Sequence, residues 1–307
     1  MGTNRRHRGW RQWGLILSAV LLPSRLFADG AAVILSGNLS SYEEAALGFK
    51  KSFSLAFKEY TIAPPDSGDN ETIESIRSQR PKVIVAIGSK AAVEALNAFP
   101  ETPLIYCMVI DPERQGLAGK KNVFGIRFEV EPSVLFSKFK AALPKLRRLG
   151  LIMDRARDES RTREISELGN RMGMDIIVEK ASSKTDIPGA MRAMSGKIDA
   201  FWMTTDPIVT NKFTFNTISD FCLNSRIPLL VPMESLVNAG GFLAVTASEK
   251  SIGSEAASLS KDILDGKFPK SDLVQPSEIE ISISLKTAKI IGVEIADSVL
   301  KISKQLP

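Results

Sequence analysis

Residues 83–99 read VIVAIGSKAAVEALNAF, which is an apolar strand, a glycine turn and an amphipathic helix in immediate succession. The run 83–87 contains only Val, Ile and Ala, as is typical of a parallel strand that is covered on both faces. Gly88 permits the tight turn, and we expect Ser89 to cap a helix from Lys90 to Phe99. A strand that feeds directly into a helix predicts an α/β fold with a parallel sheet.

The same alternation of strand and helix continues along the chain. Apolar runs occur at 31–36, 104–110, 149–153, 175–178, 200–204, 229–231 and 242–245. Helical patterns lie between them, with apolar faces formed by Phe49, Phe53, Ala56 and Phe57, by Ile165, Leu168 and Met172, and by Ile252, Ala256, Leu259 and Ile263. The pattern restarts after 144–148. We therefore predict two doubly wound parallel-sheet lobes with a cleft at the carboxyl ends of their strands.

The first 28 residues have the order of a cleavable export signal. Four arginines precede an apolar stretch from Leu15 to Leu22, and a cut is expected after Ala28. Removing the segment's five arginines from the 40 basic residues leaves 35, equal to the 35 acidic residues. The mature chain is then close to neutral, so its composition does not indicate a nucleic-acid partner. We expect a periplasmic protein that does not insert into the membrane after signal cleavage.

The signal segment also holds His7, the only histidine of the chain. Without it the mature protein lacks the commonest metal ligand and the base of Ser-His-Asp or Cys-His catalysis. Phosphate-binding, dinucleotide-binding and nucleophile-elbow motifs are absent from the sequence. We expect no enzyme activity, no cofactor and no metal, and we interpret Cys107 and Cys222 as buried free thiols.

Polar residues follow four of the predicted strands. They are Gly88-Ser89, Ser40 with Glu43 as a capping box, Asp111-Pro112 and Asp206-Pro207. Each of these four sets is also common at the start of a helix. Asp followed by Pro, for example, often supplies the N-cap and the first helical residue. Four such pairs at the same end of parallel strands nevertheless favour a binding cleft. Tyr42 is expected to stack on a ligand, Trp202 is either a core or a cleft residue, and Asp154 and Asp206 are candidates for a carboxylate pair across the cleft.

At this point the chain resembles the extracytoplasmic substrate-binding proteins of ABC transporters, in the group often described as tryptophan- or tyrosine-type binders. The resemblance is carried by segments at 40–49, 86–92, 111–117, 122–126, 143–144, 199–206, 227–228, 253–266 and 286–293. Members often have Thr where this chain has Ile110 and Phe124. This difference leaves the ligand open, with an aromatic amino acid as one candidate.

The resemblance implies a type I periplasmic-binding fold with a multi-strand hinge. It implies a first lobe of residues 29–146 plus about 248–275, and a second of 147–247 plus about 276–307. It also implies a small-molecule ligand and the permease and ATPase of an ABC transporter as partners. The implied ligand-binding residues are Tyr42, Gly88, Ser89, Tyr106, Met108, Ser160, Asp206 and Glu234. We expect the Ser89 N–H to meet an anionic group of the ligand and Asp206 a cationic one.

Two other functions remain open from the sequence. The protein could report ligand occupancy to a membrane signalling receptor, with the same fold. It could also be an amino-acid racemase that uses one cysteine from each lobe, although Cys222 lies within a predicted helix, where an exposed thiolate is not expected.

Overall fold

The computed structural model describes residues 30–62, 70–156 and 159–307. The predicted signal peptide, residues 1–28, lies outside the described residues. Within the described part, none of the helices combines the length and the apolar character that crossing a bilayer requires.

Strands and helices alternate along most of the chain. The strands are β1 (Ala31–Leu35), β2 (Phe57–Thr61), β3 (Val83–Ile87), β4 (Leu104–Cys107), β5 (Val123–Ile126), β6 (Arg148–Asp154), β7 (Asp175–Ala181), β8 (Ala200–Trp202), β9 (Leu229–Val231), β10 (Leu243–Ala247), β11 (Leu273–Val274), β12 (Ile279–Ser284) and β13 (Lys304–Leu306). The helices are α1 (Ser40–Ser52), α2 (Asn70–Gln79), α3 (Ser89–Ala98), α4 (Pro132–Ala142), α5 (Glu159–Arg171), α6 (Ile187–Ala193), α7 (Lys212–Asn224), α8 (Glu234–Asn238), α9 (Glu249–Leu264), α10 (Leu285–Ile291) and α11 (Asp297–Leu300).

The strands form two sheets, as the alternating pattern predicts. The first has six strands in the order β11-β5-β4-β3-β1-β2, and all of its pairs are parallel. The second has seven strands in the order β13-β12-β10-β9-β8-β6-β7. It is parallel except where β12 runs antiparallel to β10. The chain is therefore built from two doubly wound α/β lobes, which confirms the predicted fold class.

Three segments carry the chain between the two sheets. They lie at 127–131 after β5, at Ser248 between β10 and α9, and at 275–278 between β11 and β12. They are joined by hydrogen bonds: Gln275 Nε2 donates to Glu131 Oε1 at 3.1 Å, and the Ser248 N–H donates to the Glu278 carbonyl at 3.0 Å. We call these three segments the crossing segments.

Helix α4 packs against the second sheet although it precedes the expected lobe boundary after residue 146. The Trp202 ring on β8 lies edge-on to Phe136 and Phe139, with centroid distances of 5.4 and 6.4 Å. Lys140 Nζ also donates to the Met172 carbonyl just after α5, at 2.9 Å. These contacts tie α4 to the elements of the second lobe.

Helix α9 returns to the first lobe and crosses α1 at two glycines. A Cβ on Gly253 would lie 1.8 Å from the Ala45 carbonyl oxygen, and one on Gly48 would lie 2.0 Å from the Lys250 carbonyl oxygen. The two backbones are therefore in direct contact. The small residues in the sequence at 45–48 and 253–257 are explained by this crossing.

The ends of the first helix and of β4 were predicted wrongly. The first helix ends at Ser52, so Phe57 belongs to β2 instead of the helix face. Phe57 still packs edge-on to Phe49 at 5.4 Å, which is why its apolar character matched the helical pattern. The strand predicted over 104–110 ends at Cys107, because Met108 has a left-handed backbone with φ 57°.

Candidate functional site

A cavity of about 490 Å³ lies between the two lobes. Its first-lobe wall is formed by the ends of β4 and β5 and the turn that follows β4, and its opposite wall by α5. The polar residues that line it are Tyr106, Asp111, Glu113, Arg127, Glu129, Ser160, Arg161 and Glu164. We call this space the inter-lobe cavity. Its volume falls within the range of small-molecule binding sites.

A second, narrower cavity of about 80 Å³ lies beneath α4 and α5 at the carboxyl ends of the second sheet. Its walls are largely apolar and include Leu135, Phe139, Met153, Ile165, Trp202 and Val245. We call it the apolar cavity. Trp202 is 8% exposed, so its ring serves both the core and the wall of this cavity.

The two cavities share Arg127, Phe128, Glu129 and Arg161 as lining residues, so they are adjacent parts of one cleft. Three of these residues lie in the first crossing segment and the fourth in α5. Glu129 also accepts a hydrogen bond from the Thr205 hydroxyl of the second lobe. A movement of the lobes about the crossing segments would therefore change the shape of both cavities.

Asp206 lies in the wall of the apolar cavity, directly after β8, and is only 3% exposed. Its Oδ1 accepts from the Ile208 N–H at 3.1 Å and its Oδ2 from the Asp154 N–H at 3.3 Å. Backbone N–H groups thus hold the carboxylate in a buried position that faces the cleft.

Asp154 and Asp206 do not face each other across the cleft, contrary to our prediction. β6 and β8 are neighbours in the same sheet, so both residues lie at adjacent strand ends of the second lobe. The Asp154 carboxylate instead approaches Arg114 of the first lobe, with Oδ2 at 4.0 Å from Nη2. Arg114 Nε lies 3.3 Å from Asp111 Oδ2, so this arginine connects the two lobes at the edge of the inter-lobe cavity.

Tyr106 lines the inter-lobe cavity from β4, with its ring against Gly125 of the neighbouring strand. Burial raises the pKa of its phenol to about 12; the nearby Asp272 and Glu113 also raise it, whereas Arg127 lowers it. The phenol is therefore neutral at physiological pH. It is available as a hydrogen-bond donor or acceptor and not as a charge.

Tyr42, Gly88, Ser89 and Met108 form a separate cluster at the carboxyl ends of β1, β3 and β4. Gly88 has φ 95°, and a Cβ there would lie 2.8 Å from Cζ of Tyr42, so the tyrosine ring covers this turn. Burial, followed by the charge of Cys107, raises the pKa of the Tyr42 phenol. None of these four residues is among those that line the two cavities in the described part of the chain.

The structure places Glu234 differently from the other predicted site residues. It starts α8, where its Oε1 pairs with Lys304 Nζ at 2.6 Å and its Oε2 accepts from the Ser282 hydroxyl at 2.9 Å. It is not among the lining residues of the two cavities. Of the predicted set, the structure brings Tyr106 and Ser160 together in one cavity and places Asp206 in the adjacent one.

The predicted helix caps were wrong at each of the four strand ends. Gly88 and Leu39, and not Ser89 and Ser40, are the N-cap residues of α3 and α1. Helix α3 is capped instead by Ser36, which directly follows β1. Its hydroxyl accepts a hydrogen bond from the Ala91 N–H at 2.8 Å. Asp111-Pro112 and Asp206-Pro207 begin turns, and α7 starts only after Asn211, whose side chain accepts from the Thr214 N–H.

Comparison with known proteins identifies the family. The model of the family described as ABC transporter substrate binding protein matches residues 45–306. The chain belongs to this family.

Two relatives illustrate how far the similarity extends. A curated tyrosine-binding protein of Clostridioides difficile (strain R20291) is 23% identical over 241 residues, which is 74% of this chain and 68% of that protein. The ligand-free, open structure of a substrate-binding protein with adhesive properties from Clostridium difficile has a TM-score of 0.70 at 18% identity, and covers 90% of this chain and 98% of that one.

A third similar structure, from Streptococcus pneumonia, is described as an ABC domain in complex with L-Trp. It has a TM-score of 0.58 at 20% identity, and the alignment covers 90% of this chain and 100% of that one. At these identities the solved structures support the fold of this substrate-binding protein and not its ligand.

This substrate-binding protein is not an enzyme, in keeping with its family. Cys107 and Cys222 are both free and buried, as predicted. Burial raises the pKa of the Cys107 thiol to about 12 and raises that of Cys222 as well. A racemase needs exposed, reactive thiolates, so the two-cysteine alternative does not fit. No group of three or more side chains suited to hold a metal occurs among the described residues.

Sequence reasoning missed the first crossing segment and Arg161, which supply the shared wall of the cleft. Residues 127–131 follow β5 without a glycine turn or a capping motif, and Arg161 lies in an otherwise ordinary charged helix. The one available signal was the break in apolar character at Arg127 directly after a strand.

Proposed function

We propose that this substrate-binding protein captures a small amphoteric solute, such as an amino acid, in the cleft between its lobes and delivers it to the permease and ATPase of an ABC transporter. The observation that carries the proposal is the inter-lobe cavity, which is lined from both lobes by groups of both charge signs. A relative described as a tyrosine-binding protein supports a ligand of amino-acid size.

In this proposal the ligand contacts both lobes, and Asp206 binds its cationic group. The carboxylate is buried and already oriented by two backbone N–H groups, so it needs little rearrangement on binding. The apolar cavity beside it receives the ligand's hydrophobic part. We also propose that the cluster containing Tyr42 and Ser89 contacts the ligand when the lobes close.

We propose that closure is a hinge movement about the three crossing segments. The moving bodies are the predicted lobes, except that α4 moves with the second because it packs on Trp202. A ligand that touches both lobes binds the closed form more tightly than the open one, and so it shifts the population towards closure.

We also propose that residues 1–28 direct export to the periplasm and are then removed, so that the mature protein meets its permease outside the inner membrane. The basic residues followed by an apolar stretch in the sequence support this. Neighbouring genes that encode a permease and an ATPase would support transport, whereas a neighbouring receptor gene would support the sensing alternative.

The proposed site is tested by replacing Asp206 with asparagine. Thermal-shift screening against amino acids identifies a ligand, because a solute at about 100 times its dissociation constant adds roughly 2.7 kcal/mol of stability. Calorimetry with that ligand should then show Asp206→Asn binding about tenfold or more weakly, since a hydrogen bond to a charged group is lost.

The matched control is Asp220→Asn, which makes the same change at an exposed position of α7. It should leave the affinity unchanged. An Asp206→Asn protein that folds normally and binds with unchanged affinity would remove Asp206 from the site. The absence of any small-molecule ligand would refute the proposed function itself.

A further inference from the structure

Two arginines lie where the two cavities meet. Arg127 comes from the first crossing segment and Arg161 from the first turn of α5, and both line both cavities. They approach the cleft from elements that belong to different parts of the fold. A group bound between them would therefore touch the crossing segment and the second lobe at once.

The two arginines differ in burial, because Arg161 is exposed whereas Arg127 is half-buried. No hydrogen bond or ion pair joins Arg161 to another of the described residues. Arg127 Nε is buried and has no hydrogen-bond partner among them; its nearest carboxylate oxygen, Glu131 Oε1, is 3.5 Å away. A buried donor without an acceptor is unfavourable, so such a group in a binding cleft indicates that a ligand supplies the acceptor.

Three carboxylates that line the apolar cavity together with these arginines accept hydrogen bonds from other groups. Glu129 accepts from the Thr205 hydroxyl, and Glu131 Oε1 accepts from Gln275 Nε2 at 3.1 Å. Asp206 is held by backbone N–H groups, as described above. Glu131 Oε1 is also the atom that lies 3.5 Å from Arg127 Nε, which is longer than an ordinary hydrogen bond.

On the basis of the proposed function, we propose that Arg127 and Arg161 jointly bind an oxyanionic group of the ligand and so select solutes that carry one. Guanidinium groups bind carboxylate or phosphate through two parallel hydrogen bonds, which gives both affinity and orientation. Asp206 in the adjacent cavity wall then binds the cationic group of the same solute. Together the three side chains select an amphoteric ligand over a purely cationic or a neutral one.

The test uses the purified chain without residues 1–28, in which Trp202 is the only tryptophan. The fluorescence of Trp202 reports binding, since its ring lies in the wall of the apolar cavity. The probes are L-tyrosine, L-malate and inorganic phosphate, each of which carries an oxyanion, and L-tyrosine amide, spermidine and D-glucose, which do not. Dissociation constants are measured for the wild type, Arg161→Gln, Arg127→Gln and the double variant. The matched control is Arg163→Gln, an exposed arginine of the same helix that lines neither cavity.

We expect probes with an oxyanion to bind the wild type and to lose about tenfold or more in affinity in Arg161→Gln and in Arg127→Gln. The control should stay within about twofold of the wild type, as expected for a surface change. If L-tyrosine binds, its amide should bind the wild type more weakly, yet lose little more in Arg161→Gln. Binding of phosphate alone would support the site and identify phosphate as its oxyanion.

Two results would overturn the proposal. One is an oxyanion-free probe that binds the wild type more tightly than the oxyanionic probes. The other is Arg161→Gln binding them as well as the wild type does. If Asp206→Asn still weakens binding in that case, only the assignment of the arginines fails and the proposed function stands. If none of the probes binds and the thermal-shift screen against amino acids finds no ligand, both the assignment of the arginines and the proposed function fail.

Discussion

Gly253→Ala should destabilise the protein, because this position is the point where α9 crosses α1. The added methyl group would lie 1.8 Å from the Ala45 carbonyl oxygen and 2.8 Å from the Phe49 backbone nitrogen. Both neighbours are backbone atoms within a helix, so neither can turn away as a side chain would. The helices must therefore separate by about 1.6 Å to restore an ordinary contact of roughly 3.4 Å.

The size of the effect follows from two opposing contributions. Separation by this distance weakens the packing of buried residues along the crossing, including Ala46, Phe49, Ile252 and Ala256. Overpacking of this kind costs about 3 kcal/mol at the upper end of its usual range. Alanine is favoured over glycine within a helix by about 1 kcal/mol, which offsets part of the cost. The free energy of unfolding should fall by about 2 kcal/mol.

Urea unfolding monitored by circular dichroism measures this change, and the melting temperature should fall by roughly 4–8 °C. The matched control is Gly189→Ala in α6, where the nearest heavy atom to an added Cβ is Arg192 Nη2 at 3.9 Å. There only the helix preference acts, so the control should be slightly more stable than the wild type. If Gly253→Ala were as stable as the wild type, the direct contact between the two backbones would be wrong.

Two further predictions concern the thiols and the contact between the lobes. Because burial raises the pKa of Cys107 from 9.0 to about 12, this group's contribution to stability is fully present below pH 9 and is lost as the pH rises from there towards 12. At pH 8 the native protein should therefore react with Ellman's reagent only after denaturation; rapid reaction of the folded protein would contradict the buried position of the thiol. Arg114→Gln removes the 4.0 Å contact with Asp154, but the Arg114 side chain is 53% exposed, so the free energy of unfolding should change by less than about 1 kcal/mol. A larger change in urea unfolding would mean that this contact holds the lobes together more strongly than an exposed ion pair does.

The strands that sequence analysis located are those whose apolar character is continuous. β3 and β6 lie inside their sheets with buried side chains over most of their length, and both were predicted nearly to their ends. β2 was missed because it is an edge strand, FKEYT, in which none of the side chains is fully buried. β12 was missed because serine alternates with isoleucine along it, and its pairing with β10 is what buries those serines.

The candidate site was predictable only in part. Asp206 was singled out because polar residues that follow parallel strands share one edge of a sheet, and Tyr106 because of the resemblance; both lie in the walls of the cleft. The hydrogen bonds that hold Asp206 were not predictable, since its partner Asp154 lies on a strand that becomes its neighbour only through sheet order. The prediction that Ser89 caps α3 was wrong because Ser36, which follows a different strand, supplies the hydrogen-bond acceptor.

The sequence by itself determined the class of fold, because hydrophobic periodicity and glycine turns act over a few neighbouring residues. The family was indicated by the resemblance of segments along the chain. Only the tertiary structure decided that Arg127 and Arg161 line one cleft and that α4 packs with the second lobe. These juxtapositions depend on where the chain crosses between the sheets and on which helices pack together there. They are set by contacts between residues far apart in the chain, and no local pattern records them.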